Sequence, residues 1–277
     1  MPIKDYIRRG IEYVYTGVPV KKLDATISYL QPSEKLLGKK IVVTGGGRGL
    51  GLAMAKRFVA EGANVLIAGR NEMCLKESAL EIGCSFLRLD VQDVHSFTSF
   101  IDEAWELLGG INCLVNNAGV SHHEGNIRNV TIDDFNIQIN TNLRSGYFLS
   151  QKFIDKYEKA DVKSGNILFV SSERGVMADD LPYGITKAAI NTLVQGLACE
   201  LIDRGIRVNA MAPGVTASDM TGFNRDGSMT LHSQATGRVY LPEEMAEIAC
   251  FLLSDASNLL NGQIIVCNEG KSINFRR

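Results

Sequence analysis

Apolar positions from Lys39 onward fall into two alternating textures. Short continuous runs read as strands: KKIVVT, NVLIAG, SFLRLDV, INCLVNNAG, GNILFVSS, IRVNAMAP and GQIIVCN. Between them, apolar residues recur three and four apart, which is the helical period. Helices are expected after the first strand to about Glu61, in EMCLKESALEIG and HSFTSFIDEAWELLG, and over residues 131–158, 182–204 and 242–254. A strand that is apolar throughout is buried on both faces, as in a parallel sheet. Strands separated by helices, with no hairpin signal, mean βαβ crossovers. The pattern therefore predicts an α/β fold, a doubly wound parallel sheet forming a single domain over residues 38–277.

Residues 1–37 stand apart as an N-terminal extension, partly helical. Ile3, Ile7 and Ile11 would share one helical face with Val14, opposite Arg8, Arg9 and Glu12. Gly17 and Pro19 end that segment. Such a short amphipathic helix is a packing cover or a membrane or partner device. Charges in MPIKDYIRRG leave no apolar core for a signal peptide, and Pro2 excludes an N-myristoylation signal.

Charge changes the picture mainly by exclusion. Lys plus Arg number 29 and Asp plus Glu 31, a net −2, which gives no reason to expect nucleic acid or an anionic membrane as a partner. No apolar run approaches the ~18 residues of a membrane span. Six cysteines form no C-x-x-C pair and no Cys/His cluster with zinc spacing. They are expected to be buried, reduced thiols of a cytoplasmic protein without a metal.

The first strand runs into Thr44-Gly45-Gly46-Gly47-Arg48-Gly49-Leu50-Gly51 and then a helix. Gly45 allows the sharp turn, Gly49 a close backbone approach to a pyrophosphate, and Gly51 tight helix–strand packing. A helix N-terminus there offers unpaired N–H groups to phosphates. At the end of the second strand, a carboxylate would bind a ribose 2′-hydroxyl; the chain instead has Gly69-Arg70-Asn71. Arg70 suits a 2′-phosphate, with Arg48 as a second cation, unless it is simply a solvated arginine.

The gap between Gly45 and Gly49 resembles the T-G-x-x-x-G-x-G signature of the short-chain dehydrogenase/reductase family. Asn116-Asn117-Ala118-Gly119 after the fourth strand, Ser171-Ser172 after the fifth, Tyr183-Gly184-Ile185-Thr186-Lys187 and Pro213-Gly214 complete the resemblance over roughly residues 38–271. It implies a Rossmann-type fold and an oxidoreductase that interconverts a carbonyl and a secondary alcohol with NADP(H), NAD(H) being the weaker alternative. Asp90 and Val91 then match the adenine-contacting pair, although Asp90 also suits a helix cap. Asn117, Ala118 and Gly119 border the cofactor. Val215 and Ser218, after Pro213 and Gly214, would meet the nicotinamide carboxamide. The glycine-bearing stretch at about 219–239 resembles the family's mobile substrate loop.

Tyr183 and Lys187 lie four apart and so share a helical face. A free Tyr, with pKa about 10, is a poor base at neutral pH; an adjacent ammonium, helped by an oxidised nicotinamide, is expected to lower that value. The resemblance implies that Tyr183 carries the proton, that Lys187 also holds the nicotinamide ribose, and that Ser172 of the serine pair orients the substrate oxygen. Asn142 matches the asparagine of the proton relay, with Asn140 as the rival. The stretch from Ser172 to Tyr183 is about two residues shorter than is usual in the family. His122 and His123 border the substrate or lie on the surface. Within the enzymes, a 3-oxoacyl-carrier-protein reductase or a hydroxysteroid or sugar-alcohol dehydrogenase is the alternative. A nucleotide-sensing regulatory protein is the non-enzyme rival, disfavoured by the intact Ser172, Tyr183 and Lys187. The family also implies a homo-oligomer: a homotetramer, or a dimer because Asn268-Glu269 replaces the usual C-terminal residues.

Overall fold

The computed structural model describes residues 33–223, 227–234 and 236–273. The amphipathic segment at Ile3–Val14 lies outside the described residues. Seven parallel strands stand in the order β3-β2-β1-β4-β5-β6-β7. They are β1 (Lys40–Thr44), β2 (Asn64–Gly69), β3 (Ser85–Arg88), β4 (Cys113–Asn116), β5 (Gly165–Val170), β6 (Ile206–Pro213) and β7 (Ile264–Cys267). The helices are α1 (Gly49–Ala60), α2 (Glu72–Ile82), α3 (Phe97–Leu108), α4 (Ile132–Gln138), α5 (Ser145–Lys159), α6 (Pro182–Leu201) and α7 (Pro242–Leu253).

Local chemistry sets several helix ends. The Asn71 side chain accepts from the Cys74 N–H at the start of α2, and Gly83 ends it in the left-handed region at φ 71°. Pro182 and Pro242 open α6 and α7, where a missing N–H costs nothing. Alternate residues of each strand face opposite layers. Val42, Leu66, Leu114 and Ile167 pack with α3, α5 and α6, while Ile41, Val43, Val65 and Ile67 pack with α1, α2 and α7. Both faces of the central strands are buried, so those strands are apolar at successive positions, while the edge strands β3 and β7 are only partly buried.

Residues 132–159 are helical, as expected, but not α-helical throughout. Between α4 and α5 the chain widens into a π-helical stretch, Ile139–Arg144. One extra residue per turn shifts the helical phase there, so Thr141 and Asn142 are both buried. The cysteines are free thiols, but only Cys113 and Cys250 are buried; Cys74, Cys84 and Cys267 are half-buried, and Cys199 is exposed on the outer side of α6.

The strand order reverses between β1 and β4: β1 is followed by β2 on one side, while β4 leads to β5 on the other. The loops leaving these two strands diverge and leave a crevice at their carboxyl ends, where open α/β sheets bind ligands.

Candidate active site

A cavity of about 440 Å³ occupies that crevice. Gly45, Gly47, Arg48, Gly49 and Leu50 form its floor at the N-terminus of α1. Gly45 takes φ +65°, and a Cβ on Gly51 would stand 2.2 Å from the Gly45 carbonyl oxygen, so neither position admits a side chain. Side chains behind the turn hold its backbone. Ser78 Oγ donates to the Gly47 carbonyl at 2.8 Å, and Asn117 Nδ2 donates to the Thr44 carbonyl at 2.8 Å. Thr44 Oγ1 accepts from the N–H groups of Asn117 and Ala118 at 3.0 and 3.1 Å.

Arg70, Asp90 and Val91 line the wall beyond β2 and β3. Arg70 is exposed and has no ion-pair partner among the described residues. Asp90 uses Oδ1 to accept from the Gln92 N–H at 3.0 Å; the helical turn that follows is capped by Asp93 instead. Arg48 does not turn toward Arg70. Its Nη1 pairs with Asp219 Oδ2 at 2.9 Å, joining the phosphate turn to the loop after β6.

Ser172, Tyr183 and Lys187 meet on the opposite wall, with Ala118, Gly119, Pro213, Gly214 and Ser218 around them. Geometry separates the two serines. Ser171 Oγ is bonded to Asn191 Oδ1 at 2.6 Å, inside the fold. Ser172 stands beside the Tyr183 phenol and acts to lower its pKa, and its Oγ accepts from the Arg174 N–H at 3.2 Å. Lys187 Nζ donates to the Val170 carbonyl at 2.7 Å and lies 5.6 Å from the Tyr183 ring centroid. Asn142 is set behind this wall. Its Oδ1 accepts from Val120 N–H at 2.8 Å, and its Nδ2 donates to the Val120 carbonyl at 2.9 Å. It therefore fixes the backbone after the Asn116–Gly119 turn, a bond not made by Asn140.

The electrostatics differ from expectation in one respect. Burial pushes the Tyr183 phenol above its ordinary value, opposed by the neighbouring Ser172 hydroxyl and the positive charge of Arg174. Burial also pulls the Lys187 ammonium down, to about 8. In the free protein, desolvation outweighs Ser172 and Arg174, so the expected lowering of the tyrosine is not present.

The family model described as enoyl-(acyl carrier protein) reductase matches residues 45–272. The 3-oxoacyl-[acyl-carrier-protein] reductase of Chlamydia pneumoniae is 36% identical over 244 residues, covering 85% of this chain and 97% of that protein. The chain belongs to the short-chain dehydrogenase/reductase family. L-rhamnose 1-dehydrogenase (NADP(+)) of Thermoplasma acidophilum, another relative of this oxidoreductase, is 30% identical over 86% of this chain and 98% of its own length. A solved 3-ketoacyl-(acyl-carrier-protein) reductase from Brucella melitensis, complexed with NADH, superposes with a TM-score of 0.79 at 30% identity. That match covers 86% of this chain and 99% of the solved one.

Other expected residues take different places. Val215 is off the cavity wall, and its carbonyl accepts from the Tyr240 N–H at 2.9 Å. His122 Nδ1 pairs with Asp134 at 2.5 Å, while His123 Nε2 bonds the Met220 carbonyl at 2.6 Å across the cavity mouth. The described part of 219–239 consists of turns and isolated bridges.

Sequence reasoning missed Glu173 and Asp219. Glu173, only 5% exposed, accepts from Asn268 Nδ2 at 3.1 Å and from Lys271 Nζ at 2.8 Å. Asn268-Glu269, read as a departure at the C-terminus, thus supplies one anchor of the turn that carries Ser172. The adjacent serine pair marked that turn, but nothing marked the distant partners.

Proposed function

We propose that the chain is an NADP(H)-dependent oxidoreductase interconverting a carbonyl and a secondary alcohol, with NAD(H) as the weaker cofactor. The observation that carries this reading is the meeting of Ser172, Tyr183 and Lys187 on one wall of a cavity floored by the phosphate turn. The residues fit a dinucleotide: the turn excludes side chains at Gly45 and Gly51, and Arg70 stands open beyond β2. Gly47, Gly49 and the first N–H groups of α1 would hold the pyrophosphate, Asp90 and Val91 the adenine, and Arg70 the 2′-phosphate. Asn117, Ala118, Gly119, Pro213, Gly214 and Ser218 complete the proposed contacts.

A bound nicotinamide supplies or accepts the hydride. Ser172 and Tyr183 offer two hydroxyls to the substrate oxygen, stabilising the charge that develops there. Tyr183 gives its phenolic proton to that oxygen in reduction and takes it back in oxidation. Lys187 places a positive charge below the ring and would reach the ribose hydroxyls. Asn142 holds the backbone at Val120 beside this group.

Single-domain organisation over 38–277, with an N-terminal extension at 1–37, belongs to the same reading, as does a cytoplasmic location. So does a homotetramer, with a dimer as the fallback, and its support is the exposed apolar set Ile132, Phe135, Tyr147 and Phe148 around α4 and α5. The name of the Chlamydia relative favours a second reading, a 3-oxoacyl-carrier-protein reductase; the balanced charge supplies no broad basic surface for an acidic carrier. The deciding experiment is a panel of ketones, sugars and 3-oxoacyl thioesters with both cofactors. Tyr183→Phe should lose at least about 10²-fold in turnover while still binding NADPH. Turnover equal to wild type in that variant sinks the mechanism.

A further inference from the structure

Arg174 is a charged residue beside Tyr183, behind the cavity lining, that this mechanism leaves unused. It lies two positions after Ser172, in the short turn Glu173–Gly175 between β5 and α6. Its guanidinium carbon stands 5.6 Å from the Tyr183 ring centroid. A carboxylate fork fixes it there: Nη2 donates to Asp179 Oδ1 at 2.7 Å, and Nε donates to Asp179 Oδ2. Asp179 is itself fixed, because Oδ1 accepts from the Leu181 N–H at 3.0 Å at the head of α6. Its carboxylate fills the space a side chain at position 184 would need, for a Cβ on Gly184 would fall 2.1 Å from Asp179 Oδ2. Gly184, one residue after the tyrosine, thus makes room for the carboxylate that holds the arginine.

The charges around the phenol can be enumerated. Lys187 lies 5.6 Å from the ring centroid, on the same helix. Arg174 approaches from the turn after β5. Asp179 is engaged by Arg174, and Glu173 is bonded to Asn268 and Lys271. Across the cavity, Asp219 is paired with Arg48. Arg144, in the π-helical stretch packed on α6, forms no ion pair among the described residues.

We propose that Arg174, clamped by Asp179, is a positioning residue for Tyr183 that supplies a second fixed positive charge beside its ring and favours the phenolate. The inference rests on the reading of Tyr183 as the proton carrier. A positive charge within ~4–6 Å stabilises an ionised neighbour, and a planar fork holds that charge in one place better than a lysine would. The charge of Arg174 counters the effect of burial on this phenol.

The test uses the full chain with Arg174→Gln and Arg174→Lys. Two midpoints are measured: the pH dependence of kcat/KM for alcohol oxidation, and the tyrosinate absorbance of each protein minus that of its Tyr183→Phe counterpart. The Gln variant should move both midpoints up by about half a pH unit or more, slowing oxidation at pH 7 by about threefold or more. The Lys variant should recover most of the shift. Unmoved midpoints in Arg174→Gln overturn the proposal, as does a Lys variant displaced as far as the Gln variant. The absorbance readout needs no turnover. Should Tyr183 prove not to be the proton carrier, the absorbance midpoints still decide whether Arg174 acts on its phenol.

Discussion

The two sides of the cavity are built by different means. On the β1–β2 side, backbone shape does most of the work: a positive φ at Gly45, a helix packed without a side chain at Gly51, and short bonds from Asn117 and Ser78 onto the turn. On the β5–β6 side, side-chain ties hold the loops together, all but that of Arg174 with Asp179 between residues far apart in sequence. Glu173 is held by Asn268 and Lys271, Arg174 by Asp179, Tyr240 by Glu269, and Met220 by His123. The first side presents backbone groups suited to a constant ligand part, the pyrophosphate. The second presents exchangeable side chains, where one fold can be fitted to different substrates. Breaking a side-chain tie should therefore disturb the second side selectively, while the first should respond mainly in cofactor choice.

Glu173→Ala is the variant with the largest expected effect in this comparison. It leaves Asn268, 1% exposed, without its acceptor and Lys271 without its partner. Loss of a buried, paired carboxylate costs about 3 kcal/mol; Lys271 can still reach water at 25% side-chain exposure, which moderates the loss. Urea unfolding should show that drop, and kcat should fall because the turn holding Ser172 loosens. NADPH affinity should change little. A variant as stable as wild type would show that the tie is decorative and that the two sides are built alike.

This division also explains what the chain revealed before its structure. Asn64–Gly69 and Ile206–Pro213 are strands with the expected bounds, because local apolar runs specify them. The phosphate turn was legible because glycine spacing records backbone constraints directly. The π-helical Ile139–Arg144 was not, since a one-residue change of phase leaves the apolar period of residues 131–158 nearly intact. Glu173 with Asn268, and Arg48 with Asp219, were also hidden: such pairs are 95 and 171 positions apart, and nothing local to either member points to its partner. The expected lowering of Tyr183 failed for a related reason, because spacing showed the ammonium but not the burial around it.

Arg70 probes the cofactor side. If the open guanidinium meets a 2′-phosphate, Arg70→Ala should weaken NADP(H) binding by about ten- to a hundredfold, the worth of a charge-assisted contact of roughly 1.5–3 kcal/mol. NAD(H) affinity should hardly change, because NAD(H) has no 2′-phosphate. Gly69→Asp should reverse the preference by repulsion. Titration of both cofactors by calorimetry checks this, and equal wild-type affinities would reduce Arg70 to a solvated arginine.

The smallest effect is expected where the two sides touch. Arg48 and Asp219 are 74% and 76% exposed, and such surface pairs contribute roughly 0.2–1 kcal/mol. Asp219→Asn should therefore leave thermal stability almost unchanged. Its consequence lies in binding, because the carboxylate both occupies Arg48 and places a negative charge at the mouth of a cavity suited to phosphates. With that charge removed, both cofactors should bind more tightly. NADP(H) should gain more than NAD(H), by about two- to fivefold at low salt, because the freed Arg48 can join Arg70 at the 2′-phosphate. Salt screens exposed charges beyond a Debye length of about 3 Å at 1 M, so the gain should fade there. In an Arg48→Ala background, the extra gain for NADP(H) should vanish while the smaller general gain persists. Equal gains for the two cofactors in Asp219→Asn would mean that Arg48 serves only to fasten the loop after β6 to the phosphate turn.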